Sequence, residues 1–299
     1  MEEALKIGIA GAGRMGAAIA TRLHGCAHAV TVWNRTPQKA QTLAAVGIAV
    51  AATPRDLSAT SDVVITMLTD AAAIEATYHG ANGLLAGDVR GKLYIEMSTV
   101  RPEIEKALAA RASAKGAALI ECPVGGTVGP AKEGKLFGFV GGDAADVARA
   151  RPLLHDLCRR VEHVGAVGAG ASLKLAINLP LLVYYQALGE ALSLCRSIDV
   201  EPARLIDIFA DTSGGPNMLK VRGAAIAATL QGKETAPVTF DVDLIRKDLR
   251  TMLEEAAGLG VRMPLTAQAL ERYDEAASDG LGASDATMLP VYWLKHSRG

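Results

Sequence analysis

A short apolar run, Lys6-Ile-Gly-Ile-Ala10, leads directly into Gly11-x-Gly13-x-x-Gly16 and then into an alanine-rich segment of helical character. Strand, glycine turn and helix in that order constrain the fold of this chain more than any other feature. Gly11 permits the tight turn, Gly13 lets a pyrophosphate approach the backbone, and Gly16 lets helix pack closely on strand. The helix N-terminus presents N–H groups and the positive end of its dipole to phosphate. With 31 glycines in 299 residues the triplet alone would be weak evidence; its place at a strand–helix junction makes it specific. The expected dinucleotide cradle comprises Gly11, Ala12, Gly13, Arg14, Met15 and Gly16.

Strand-length apolar pieces at 6–10, 29–33, 48–51, 62–68, 93–98, 118–124, 135–141 and 161–165 alternate with helical stretches such as 15–24, 37–45, 71–78 and 102–115. Alternation of this kind predicts an α/β domain built on a doubly wound, mostly parallel sheet. The unbroken apolar Val63-Val64-Ile65 fits a sheet covered on both faces. The pattern changes after Gly165-Ala-Val-Gly-Ala-Gly170. A long helical candidate follows from 171 to about 198, with Pro180 expected to kink or interrupt it. Segments 202–210, 219–230, 242–259 and 265–277 also read as helices. The expected organisation is a dinucleotide-binding Rossmann domain over 1–166 and an all-α substrate and dimerisation domain over 167–299, joined by a long helix.

A formal net charge of −1 argues against a nucleic acid or anionic membrane partner. No uninterrupted apolar run approaches the ~18 residues of a membrane span. Glu2 and Glu3 run straight into strand-like sequence, unlike a secretory leader. Cys26, Cys122, Cys158 and Cys195 lack metal-ligand spacing and read as free thiols in a reducing compartment. His24 and His28 would share a helix face, but Gly25 interrupts it. A cytoplasmic, metal-free protein is expected.

In a dinucleotide fold that prefers NAD, a carboxylate about twenty residues beyond the glycine turn binds the ribose hydroxyls. Here the second strand ends in Trp33-Asn34-Arg35-Thr36, which contains no carboxylate. Arg35 can grip a 2′-phosphate with forked, charge-assisted hydrogen bonds, and Asn34 and Thr36 add polar contacts, so NADP is expected over NAD. Thr36-Pro37 also reads as a helix start, and the two roles are compatible.

Three later segments carry candidate chemistry. Lys174 and Asn178 lie four apart on the long helix and share one face. By residues alone the lysine is equally a side chain snorkelling at a domain edge. Glu121-Cys-Pro-Val-Gly125-Gly126-Thr127 follows a strand, and consecutive glycines can converge N–H groups on an anion or simply form a turn. Lys247-Asp248 on a helix ordinarily marks a solvated face.

Together with the N-terminal turn and Met97-Ser98-Thr99, these segments make the chain resemble the β-hydroxyacid dehydrogenase family, which includes 3-hydroxyisobutyrate dehydrogenases and glyoxylate/succinic semialdehyde reductases. The resemblance covers essentially the whole chain. It implies that Lys174 exchanges a proton with the substrate oxygen and that Asn178 holds lysine or substrate. It implies that Ser98, Gly125, Gly126, Thr127 and Phe240 face substrate, and that Met67, Leu68, Thr99 and Lys247 contact NADPH. The family usually has serine where this chain has Gly125, and the Thr127–Pro130 continuation looks more like the semialdehyde reductase branch. The expected activity is NADPH-dependent reduction of small carboxylate-bearing aldehydes, reversible as hydroxyacid oxidation. Alternatives are a 3-hydroxyisobutyrate-type dehydrogenase, an imine reductase and a non-catalytic dinucleotide-binding scaffold. Imine reductases commonly have Asp or Tyr at the lysine position, and a scaffold needs neither Lys174 nor Asn178. Homodimers or homotetramers are implied by the resemblance alone.

Overall fold

The computed structural model describes residues 5–233 and 237–296. The chain divides into two compact units, Met1–Leu175 and Ala176–Gly299. The division falls inside a helix, nine residues beyond the boundary at 166 read from the glycine-rich run.

The first unit runs β1 (Lys6–Ala10), α1 (Arg14–Gly25), β2 (Ala29–Trp33), α2 (Pro37–Ala44), β3 (Ala49–Val50), α3 (Pro54–Ala59), β4 (Val63–Thr66) and α4 (Ala71–Tyr78). It continues with β5 (Leu93–Glu96), α5 (Pro102–Ser113), β6 (Ala118–Glu121), β7 (Val124–Gly125), α6 (Val128–Lys132), β8 (Leu136–Gly141), α7 (Ala144–Leu157) and β9 (Cys158–Gly165). Helix α8 (Ala169–Leu194) leads into the second unit, which holds α9 (Pro202–Ala210), α10 (Asn217–Leu230), α11 (Val242–Gly258), α12 (Pro264–Ala276) and α13 (Met288–His296).

The strands form one sheet in the order β3-β2-β1-β4-β5-β6-β8-β7, with β9 also paired to β8. Strands β1 to β6 are mutually parallel, whereas β8 runs antiparallel to β6 and β7. Side chains alternate across β1 and β4. Ile7, Ile9, Val63 and Ile65 enter one core with Ile19, Leu23 and Leu154, and Ala10 and Val64 enter the other with Leu57, Tyr78 and Tyr94. Both faces are covered, which explains the continuous apolar strands. The order turns back between β1 and β4, so the carboxyl ends of β1, β2 and β4 open a crevice beside the glycine turn.

Several local features depart from the sequence reading. The strand expected over 118–124 stops at Glu121, because Pro123 has no N–H for a ladder; β7 then pairs antiparallel with β8. Helix α8 is continuous through Pro180. Helix α13 had no counterpart among the expected segments, whereas α3, α6 and α7 lie between expected strands, as the alternation implies. Among the described residues α8 alone is long and apolar enough, by length and composition only, to cross a membrane; less than half of its most apolar window is buried. In the second unit Leu188 and Leu192 of α8 pack with Ile206, Leu219 and Ile226.

Candidate active site

In the first unit, Gly11 has φ +104°, and a Cβ there would lie 2.3 Å from the Met67 carbonyl oxygen. A Cβ on Gly16 would lie 1.7 Å from the Gly11 carbonyl oxygen, so α1 crosses the turn at a distance only glycine allows. Among the described residues a Cβ on Gly13 would meet nothing within 4 Å. The two outer glycines serve packing, and the middle one leaves its face open to an incoming group. Gly13 caps α1 with no side-chain hydrogen bond, and the first turn contains no acid. Such an end suits a phosphate.

A cleft of about 370 Å³ beside this turn is lined by Gly11, Gly13, Asn34, Arg35, Thr36, Lys39, Met67 and Leu68, among others. Ala12, Arg14, Met15, Gly16 and Thr99 are not among its lining residues. Arg35 and Lys39 are both exposed at its wall, so the sequence reading missed a second cation in the first turn of α2. It also missed a second role of Asn34. The Asn34 Oδ1 accepts the Ala12 N–H at 2.9 Å, and its Nδ2 donates to the Thr36 carbonyl at 2.9 Å. One amide therefore braces the glycine turn against the loop carrying Arg35. Asn34→Ala removes both bonds, together worth about 1–2 kcal/mol, and should weaken dinucleotide binding about tenfold. Fluorescence titration of the reduced dinucleotide measures this; unchanged affinity would exclude the brace.

The carboxyl ends of β5 and β6 hold acids with no assigned role in the sequence reading. Glu96, Glu105 and Glu121 are fully buried. Ser98 N–H donates to Glu96 Oε2 at 2.8 Å, the Ser98 hydroxyl also bonds Glu96, and Ser98 Oγ accepts the Leu68 N–H at 2.8 Å. The buried Ser98 hydroxyl is thus engaged inside the unit, tying the end of β5 to the loop after β4. Burial pushes Glu96 up and Glu105 well up, the latter also through its carboxylate neighbour Glu96. Glu121 is pushed up to about 7 by burial, against the lowering effect of N–H groups of Gly170, Gly168 and Ala171.

These shifts fix the sign of a pH effect. A carboxyl whose folded pKa lies above its unfolded value contributes stability below the unfolded value and loses it as pH rises through the folded value. For Glu121 that window runs from 4.5 to about 7, and the loss is about 3 kcal/mol. The ionisable groups that interact with it are Glu96 and Glu105, which act in the same direction, and the Cys122 thiol, which burial holds well up; Lys106 on α5 packs against Gly168, one of its donors. Glu121→Gln should match the wild-type melting temperature at pH 5 and exceed it by several degrees at pH 8. Equal differences at both pH values would contradict the assignment.

At the predicted anion-binding turn, Gly126 has φ +122°, and a Cβ there would lie 2.8 Å from Leu136 Cδ2. A Cβ on Gly125 would touch Phe137 and Phe139 at an ordinary 3.6 Å. Glycine is demanded by the backbone at 126 only. Thr127 caps α6 without a side-chain bond. Lys174 lies four residues beyond Gly170 on α8.

In the second unit, Asp248 is buried and joins two predicted residues. Its Oδ1 lies 2.6 Å from Lys247 Nζ, and its Oδ2 accepts Asn178 Nδ2 at 3.2 Å. Sequence alone gives Asp248 no role beyond a surface pair with Lys247; in the fold it holds both Lys247 and Asn178. Phe240 is half-buried at the start of α11, where Asp285 accepts the N–H groups of Thr239 and Phe240.

Residues 6–165 match the NAD-binding domain of 6-phosphogluconate dehydrogenase, and residues 168–292 match the NAD-binding region of NADP-dependent 3-hydroxyisobutyrate dehydrogenase. A 3-hydroxyisobutyrate dehydrogenase of Pseudomonas aeruginosa is 33% identical, over 95% of this chain and 97% of its own. Glyoxylate/succinic semialdehyde reductase 1 of Arabidopsis thaliana is 31% identical, over 98% of this chain and all of its own. Among solved structures, Psf3 in complex with NADP+ and 2-OPP superimposes with a TM-score of 0.85 at 28% identity, covering 96% of this chain and 99% of the other.

Proposed function

Because this chain belongs to the β-hydroxyacid dehydrogenase family, NAD(P)-dependent oxidoreductases acting on CH–OH groups, we propose that it reduces small carboxylate-bearing aldehydes with NADPH, reversibly. The observation that carries the reading is the presence, in one unit, of the open Gly13 cradle, the Arg35–Lys39 wall, the Gly125–Gly126 turn and Lys174.

The cradle fits the group: Gly13 leaves room for phosphate, and an uncapped helix end supplies N–H donors. Arg35 and Lys39 would hold the 2′-phosphate, with Asn34 keeping their loop in register. NADPH, when bound, supplies the hydride. The Gly125-Gly126-Thr127 backbone binds the substrate acid through N–H groups and sets its orientation. As negative charge grows on the aldehyde oxygen, the Lys174 ammonium stabilises it and then delivers a proton to it. Oxidation of the hydroxyacid runs the same proton back to the Lys174 amine. Asn178 lies one turn on along the same face of α8, and Asp248 fixes its amide and the Lys247 ammonium.

Absorbance assays of NADPH and NADH oxidation test the reading, with succinic semialdehyde, glyoxylate, methylmalonate semialdehyde, tartronate semialdehyde and sulfolactaldehyde as substrates and a cyclic imine as control. NADPH oxidation dependent on a carboxylate-bearing aldehyde is expected. Turnover confined to the imine would replace the reading with imine reduction.

A further inference from the structure

The glycine-rich junction before α8 and the acid that ends β6 form one construction. Glu121 Oε1 accepts the Gly168 N–H at 2.6 Å and the Gly170 N–H at 2.8 Å. Space for that oxygen is made by glycines on both sides. A Cβ on Gly141 would lie 2.2 Å from Glu121 Oε1, and one on Gly170 would lie 3.2 Å from it and 2.4 Å from the Phe139 carbonyl oxygen. Gly168 has φ +100°, which turns its N–H toward the strand at no steric cost. Among the described residues Glu121 Oε2 is buried with no hydrogen-bond partner. The carboxyl therefore faces the first turn of α8 with one oxygen, and its whole bonding capacity there is spent on that helix end.

We propose that Glu121 is a positioning residue for Lys174, clamping the first turn of α8 to the end of the strand that feeds the Gly125–Gly126 turn. Lys174 stands four residues beyond Gly170, so one helical turn of rigid backbone separates the clamp from the ammonium-bearing residue. From Glu121 to Gly125 is an equally short path through Cys122, Pro123 and Val124. One buried carboxyl thus sets the spacing between the element that binds the substrate acid and the element that protonates its oxygen. A misplacement of about 1 Å between such groups is costly to catalysis. The role in catalysis rests on the function proposed above, whereas the clamp itself does not.

The test compares Glu121→Met, which keeps volume and loses the acceptor, with Glu121→Gln, which keeps an acceptor oxygen. Both are made in the full chain and measured with NADPH present. By hydrogen exchange, peptides covering 166–176 should exchange at least tenfold faster in Glu121→Met and within threefold of wild type in Glu121→Gln, with peptides over 6–20 unchanged. By kinetics, Glu121→Met should lose at least tenfold in kcat with KM for NADPH within threefold, and Glu121→Gln should stay within threefold in kcat. A folded Glu121→Met that exchanges like wild type, or one that exchanges faster with unchanged kcat, overturns the inference. Should Glu121→Met fail to fold, Glu121→Gln decides: retention within threefold upholds it, and a larger loss of kcat despite the retained acceptor overturns it. If the wild type turns over none of the aldehydes, the proposed function fails, and the exchange data judge the clamp alone.

Discussion

Lys174→Ala should lower kcat about 10³-fold while leaving NADPH affinity within about threefold, because a positioned acid contributes about 10²–10⁴ to proton transfer and ordinary charge stabilisation adds to it. The loss should appear equally in kcat and kcat/KM, as for an interaction made only in the transition state. Lys174→Arg should recover little: a guanidinium preserves charge but does not release a proton near neutral pH. Steady-state kinetics with the preferred aldehyde, together with a titration of NADPH, separate the two quantities. A Lys174→Ala enzyme within tenfold of wild type would remove the lysine from the chemistry.

Arg35→Glu should produce the second large effect, a fall of about 10²-fold in kcat/KM for NADPH. Losing a charge-assisted pair with phosphate costs about 1.5–3 kcal/mol, and a carboxylate facing a dianion adds repulsion. Lys39, on the same wall, keeps the loss from being complete. NADH should be used at least as well as before, since a carboxylate accepts ribose hydroxyls. The ratio of kcat/KM for the two dinucleotides is the measurement; an unaltered ratio would put the phosphate elsewhere.

How much of this site was legible before the fold depended on the reach of each interaction. The roles of Gly11 and Gly16 follow from a strand meeting a helix within a few residues, and the contacts of their absent side chains bear that out. Arg35 could be placed because a strand end and a missing acid are both local facts. Asn34 reads from the sequence as a polar contact to phosphate, and its bonds to Ala12, 22 residues earlier, and to Thr36 add a brace that local sequence does not show. Glu121 had no visible role because its donors lie 47 and 49 residues downstream. Asp248 looked like half of a surface pair, while its other partner, Asn178, is 70 residues away. A usable clue was present in Tyr94-Ile-Glu96 and Leu119-Ile-Glu121, where an acid closes an otherwise apolar strand. In a sheet buried on both faces, such an acid has to find donors inside the protein.

The same clamp bears on how this protein can be dissected. A fragment ended at residue 166, where the glycine-rich run first suggests a joint, would keep Glu121 and discard Gly168 and Gly170. The severed piece would carry a carboxyl built into its interior with its donors cut away, a defect of about 1–3 kcal/mol or more. A nucleotide-binding fragment meant to stand alone should therefore extend through Leu175, where the compact unit ends. Chimeras that exchange helical halves between relatives should splice within α8 rather than ahead of it.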